Sequence, residues 1–177
     1  MPKRVPGMPN QAEVWAARAL AQLLACSPAQ QLAGSPTPVL AAALSGYTET
    51  VRALVWDLGA DANARDKQGR TALGMAARGG HPETVRALVL ECGANVNDAN
   101  AHGETPLFLA ASAGHTETVR ALMTCGADIT LLNDQGDAAL DEAARHGHTE
   151  TVLALVRAHG TRFDTRDRST SILNARQ

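Results

Sequence analysis

Three histidines, His81, His115 and His148, recur at intervals of 34 and 33 residues, and Cys92 and Cys125 stand 33 apart. Imidazole and thiolate are zinc ligands, so a metal site is the first chemistry to test. Zinc ligands lie about 2.0–2.3 Å from the ion. Matching places in stacked helical units lie about 8–10 Å apart, so a vertical ladder cannot share one ion. No C-x-x-C or H-E-x-x-H is present. The histidines are read instead as caps of helices, and Cys92 and Cys125 as small core fillers. A disulfide between them fails the same test, because bridged Cα atoms lie within about 7 Å. No metal and no cofactor is expected.

The string HGHTE (146–150) sets two histidines beside a glutamate, with Asp141 and Glu142 just upstream. General acid–base catalysis needs such groups converging in a cleft with shifted pKa values. These lie on a turn beside water, with no partner nucleophile. Asp141 and Glu142 are neighbours on a helix and cannot share a face. No G-x-G-x-x-G follows a strand, and there is no G-K-[ST] loop. A solvated surface is the reading, and the chain is expected to be non-catalytic.

The histidine spacing belongs to a larger period. GYTETVRALV (46–55), GHPETVRALV (80–89), GHTETVRALM (114–123) and GHTETVLALV (147–156) are four spellings of one segment. Each follows an alanine-rich segment and precedes a closing glycine and a polar connector. A period of 33–34 signals stacked repeats. Within the segment, Val51, Leu54 and Val55 fall at i, i+3 and i+4, as do Val85, Leu88 and Val89. That spacing is one face of a helix. Pro82 suits a first helical position, and Glu49, Glu83, Glu117 and Glu150 suit a first turn. Each unit is therefore helix, turn, helix, then a tip carrying Gly69, Gly103 or Gly136. It cannot bury its stripe alone and must stack on its neighbours as a solenoid.

TPLFLAASAGHTETVRALMTCGADI (105–129) resembles the ankyrin repeat, and TALGMAARGGHPETVRALV and TPVLAAALSGYTETVRALV are similar to it. The resemblance implies an all-α solenoid of helix–turn–helix units with β-hairpin-like tips. The histidine of the family's T-P-L-H motif, which helps tie turns together, is replaced by Leu40, Gly74, Phe108 and Asp141. Unit four reads Ala138-Ala139 where threonine and proline are usual, so a looser C-terminal end is expected. Units one, two and four carry an extra residue before the closing glycine, expected to lengthen the second helix.

Four repeats are placed at about 36–64, 65–97, 98–130 and 131–160. Residues 1–35 are read as an N-terminal segment with a capping helix, marked by Asn10 and Glu13 as a capping box and by Ala16, Leu20, Leu23 and Leu24 as its apolar face. Residues 161–177 are read as an incomplete fifth tip and a tail.

Bulk properties narrow the function. Formal net charge is −2 and lacks the concentrated basic footprint of a nucleic-acid or membrane-surface binder. No apolar run is long enough for a membrane span, and MPKRVPGMPNQ has no apolar stretch behind its basic pair to make a signal peptide. Three dispersed cysteines favour a reducing compartment, the cytoplasm with the nucleus left open.

Recognition falls to the positions that do not repeat. At the tips these are Arg65, Lys67 and Arg70, then Asn100, His102 and Glu104, then Leu132, Asp134 and Asp137; on the first helices they include Arg78, Ser112 and Arg145. Tip charge runs from +2 over 65–70, through −1 over 99–104, to −2 over 132–137. Leu44, Phe108 and Leu132 are candidate apolar anchors. The resemblance implies a monomeric scaffold or adaptor that binds a protein partner along its tips and inner helices. The family's small members include inhibitors that clamp a protein kinase. The other reading is a regulatory or structural subunit that inhibits a partner enzyme or self-associates through its stacking face, at Val152 and Leu155.

Overall fold

The computed structural model describes residues 38–158. Eight helices stand among them: α1 Pro38–Leu44, α2 Thr48–Trp56, α3 Ala72–Gly79, α4 Pro82–Leu90, α5 Pro106–Ser112, α6 Thr116–Thr124, α7 Ala139–Arg145 and α8 at 149–158. The capping helix expected before residue 36 and the incomplete tip expected after Gly160 lie outside the described residues. The odd-numbered helices pack as one layer, α1 on α3, α3 on α5 and α5 on α7. α2 on α4 and α4 on α6 form the second layer.

Alanine lets the first layer close up. Ala42, Ala43, Ala72, Ala76, Ala77, Ala110, Ala111, Ala139 and Ala143 are buried between neighbouring helices. Behind them Val51, Val85 and Val119, with Leu54, Leu88, Leu122 and Leu155, line the second layer. Packing thins toward the C-terminal end, where α7 buries only Ala139 and Ala143 and α3 buries every residue from Ala72 to Ala77.

Side-chain caps start the inner helices. Thr71 Oγ1 accepts the Gly74 amide at 3.2 Å, and Thr105 Oγ1 accepts that of Phe108 at 3.2 Å. Ala138 has no hydroxyl, so half of this device is inverted: its amide donates to Asp141 Oδ2 at 3.0 Å.

Three expectations need correction. His81 and His115 occupy N-cap positions, but neither side chain caps its helix. Nε2–H of His81 donates to the Leu44 carbonyl at 2.9 Å, His115 to Arg78 at 3.1 Å and His148 to Ser112 at 3.0 Å. Each imidazole thus satisfies a free carbonyl at the end of the preceding unit's first helix. Gly80, at φ +76°, makes room for this, since a Cβ there would meet His115 Nδ1 at 2.6 Å. The extra residue of units one and two does not lengthen the second helix, because α2, α4 and α6 all have nine residues. It enters the turn, where the Ala60 and Ala94 amides reach back six residues to Leu54 and Leu88, and that of Ala127 only five to Leu122. Finally, Cys92 and Cys125 are half-buried free thiols at the edge of the core.

The tips are tight turns with no extended strand among the described residues; one isolated bridge joins Leu132 and Ala138. Asp66, Asn100 and Asn133 each use Oδ1 to accept the amides two and four residues ahead, at 2.9–3.1 Å. Successive tips are joined by Ala101 N–H to Gln68 O and Asp134 N–H to His102 O, both 3.1 Å. At Gly103, φ +72°, a Cβ would meet the Asp134 amide nitrogen at 2.9 Å, so this turn requires glycine.

Leu88 and Leu122 are fully buried and Leu90 is 71% exposed. Leu88→Ala or Leu122→Ala should lower the unfolding free energy by about 2–5 kcal/mol in a urea titration, with Leu90→Ala near wild type. Equal midpoints for Leu88→Ala and wild type would contradict this packing.

Candidate partner-binding surface

The two sets of residues with chemical potential serve the fold in different ways. Glu142 Oε2 accepts Arg145 Nη1 at 2.5 Å, its Oε1 lies 3.4 Å from His146 Nδ1, and the Asp141 carboxylate holds the Ala138 amide. The rings of His146 and His148 stack with centroids 6.0 Å apart. Among the described residues no three His, Cys, Asp or Glu side chains group as a metal site would require. Burial pushes the Cys92 and Cys125 thiols above their ordinary range, which favours the protonated, unreactive form.

The tip cations divide into two groups. Arg65 donates to the Asp98 carboxylate and to the Ala99 carbonyl, the latter at 2.7 Å, which ties the first tip to the next. Arg70 Nε donates to Asp66 Oδ2 at 2.5 Å inside its own tip. Arg145 reaches back to Asp137 at 2.9 Å as well as to Glu142, and its hydrogen bond to Asp137 raises its pKa. Lys67 and Arg78 are exposed and have no ion-pair partner among the described residues.

The anions divide likewise. Asp98 and Asp137 are paired, while Glu104 Oε2 accepts only the neutral Asn100 Nδ2, at 2.7 Å. Asp134 is exposed with no ion pair among the described residues. His102 is exposed, and Ser112 is half-buried with its carbonyl taken by His148. Of the apolar candidates, Leu44 and Leu132 are exposed and Phe108 belongs to the core.

Four of the residues singled out by sequence meet at one place. Arg70 and Arg78 of the second unit and Asn100 and Glu104 of the third line a shallow notch with room for about one water molecule. Its floor is Gly74, Met75, Thr71 and Leu109, and Asp98 completes the tip side. Thr71, Gly74, Met75 and Arg78 lie at i, i+3, i+4 and i+7, so one face of α3 supplies them. The floor went unnoticed in sequence because Gly74 read as a lost histidine; a glycine inside a helical pattern was the available signal.

Two packed layers, tips closed by an Asx side chain, and a 33–34-residue period describe one kind of repeat. A family model described as ankyrin repeats, in three copies, matches residues 14–100 and 89–167. The chain belongs to the ankyrin-repeat family. No curated protein matches it. Ankyrin repeats generally mediate protein–protein interaction and are generally non-catalytic. No helix among the described residues is long and apolar enough to cross a membrane. In this ankyrin stack the first-layer helices and tips together carry every unpaired charge named above.

Asp66 is the tip residue whose ionisation matters most to the fold. Burial alone would raise its pKa, but the Arg70 and Gln68 amides and the Arg70 guanidinium overcome that and hold the carboxyl below the ordinary range. A depressed folded pKa stabilises above the unfolded value, near pH 4, and this contribution is lost as pH falls through the folded value. Asp66→Ala should cost about 1–3 kcal/mol at neutral pH, and Asp66→Asn less, since Asn100 and Asn133 do the same work. Acid titration of stability should fall more steeply for wild type than for Asp66→Asn; parallel curves would refute the assignment.

Proposed function

We propose that this chain is a non-catalytic scaffold or adaptor that seats a protein partner along its tips and first-layer helices. One observation carries the reading: on the tips and first-layer helices, the charges named above that lack an ion pair separate by sign. Lys67 and Arg78 remain on the second unit, and Glu104 and Asp134 on the third and fourth tips. Complementary charge of this kind orients a partner and raises its association rate more than it adds affinity. The exposed ion pairs elsewhere contribute little to stability, so they offer no competing reason for the pattern.

The proper test reverses only the unpaired cations, because reversing Arg65 or Arg70 would break the tips themselves. Proteins captured from a cell lysate by the wild-type chain should be held about tenfold more weakly by Lys67→Glu/Arg78→Glu, mainly through slower association. Equal retention by the two chains, with unchanged melting temperature, would reject the surface.

A second reading, self-association at the C-terminal end, draws on Leu153 and Val156, exposed one turn apart on α8. Leu155 is buried and Val152 packs against the core, so changes there test folding and not contact. If this reading holds, the wild-type chain runs as a concentration-dependent dimer by size-exclusion light scattering, and Leu153→Asp/Val156→Asp runs as a monomer. A monomer at every concentration rejects it.

A further inference from the structure

We propose that residues 14–26 form the second helix of an incomplete unit, seated on the side of α2 that faces away from α4, and hold that seat against α8 of another copy of the chain. The inference stands apart from both readings above. Arg18-Ala19-Leu20 repeats Arg52-Ala53-Leu54, Arg86-Ala87-Leu88 and Arg120-Ala121-Leu122 at steps of 34 residues. Ala17, Leu20 and Ala21 therefore fall where Val51, Leu54 and Val55 do, on the face that stacks. No first helix accompanies it: one period before α1, residues 4–10 include Pro6, Gly7 and Pro9, which break a helix.

The two ends of the second layer differ. On α4 the side turned to the preceding unit carries Thr84, whose hydroxyl meets that of Thr48 at 2.7 Å, and Glu91 follows to meet Arg52. Thr84 is 1% exposed. The matching positions on α2 are Thr50 and Asp57. α2 is the first described helix of its layer, yet Thr50 is 5% exposed. No described helix follows α8, and there Leu153 and Val156, which stand where Arg52 and Val55 do on α2, are 42% and 49% exposed.

The register names the contacts. Arg52 and Glu91 are 39 residues apart, as are Arg18 and Asp57, so the Arg18 guanidinium meets the Asp57 carboxylate. Thr48 and Thr84 are 36 apart, as are Val14 and Thr50, which sets Val14 against Thr50. Because every joint uses the same faces, the exposed side of α8 fits the α2 seat of a second copy. That contact is head to tail and does not close, so it adds chains without limit. A tethered helix takes the seat ahead of any second molecule.

Two measurements on the full chain test this. Under mild oxidation Val14→Cys/Thr50→Cys should form a disulfide between positions 14 and 50, located by mass spectrometry of the digest. Ala16→Cys/Thr50→Cys should not, since residues two apart on a helix do not share a face. Equal crosslinking of the two pairs, or none, overturns the seat. Light scattering of Leu20→Asp should show assemblies larger than those of wild type that grow with concentration. Adding Leu153→Asp/Val156→Asp should return them to the wild-type size or below. A Leu20→Asp chain of wild-type size, or assemblies indifferent to the α8 changes, overturns the blocking role. Should Leu20→Asp not fold, Arg18→Glu decides: it should associate in the same way, and Arg18→Glu/Asp57→Arg should return to the wild-type size.

Discussion

A helix pair of this size has an apolar stripe that it cannot cover by itself, and the whole architecture follows from the need to cover it with a copy. Val85 and Leu88 are buried because α4 is held between α2 and α6, and the same residues recur wherever that sandwich recurs. Polar groups must be satisfied along the same direction. The histidines bond carbonyls one unit back, and the Thr48 and Thr84 hydroxyls meet at 2.7 Å, as Thr116 and Thr151 do at 2.8 Å. Asn63 Oδ1 accepts the Asn95 amide and Asn97 Oδ1 that of Asp128, at 3.0 and 2.8 Å. Each contact links a unit to its immediate neighbour, which makes the stack one-dimensional.

The joints are not equal. Arg52 pairs with Glu49 on its own helix and with Glu91 of the next unit, and these bonds hold Glu91 below its ordinary pKa. On α4 Arg86 pairs with Glu83, but Cys125 follows α6 where Glu91 follows α4, so the cross-unit half of the bridge is missing. Pro82 stands where Thr48 and Thr116 supply their hydroxyls. The shared interface is apolar and repeated, and its polar trim varies from joint to joint.

Sequence alone resolved whatever is periodic. The Val51, Leu54 and Val55 spacing located a buried face, and the tip glycines marked turns, because both are set by residues within a few positions. The acceptor of the His81 imidazole lies 37 residues away, and no local pattern names it. The extra residue before Gly59 was ambiguous for a related reason: helix length depends on where the chain must turn toward the next tip. Formal tip charges count a gradient but do not say which cations are available, since the partners of Arg65 and Arg70 are fixed by tip geometry. Gly74 was visible as a departure, yet the space it opens exists only once Leu109 and the third tip are brought over it.

That last point bears on how a repeat protein varies its surface. Stacking demands that most positions stay the same, so a unit gains a distinct surface by exchanging a side chain at a position whose loss the neighbours tolerate. At Gly74 the loss is tolerated because Ala72, Leu73, Ala76 and Ala77 already close α3 against its neighbours. The Thr71 cap holds the first turn without help from the missing side chain. The same substitution at Phe108 would remove a core residue, and at Leu40 it would open the first joint. One unit can therefore give up a side chain for a shallow recess, and the recess lies beside the one first-layer cation, Arg78, that pairs with nothing among the described residues.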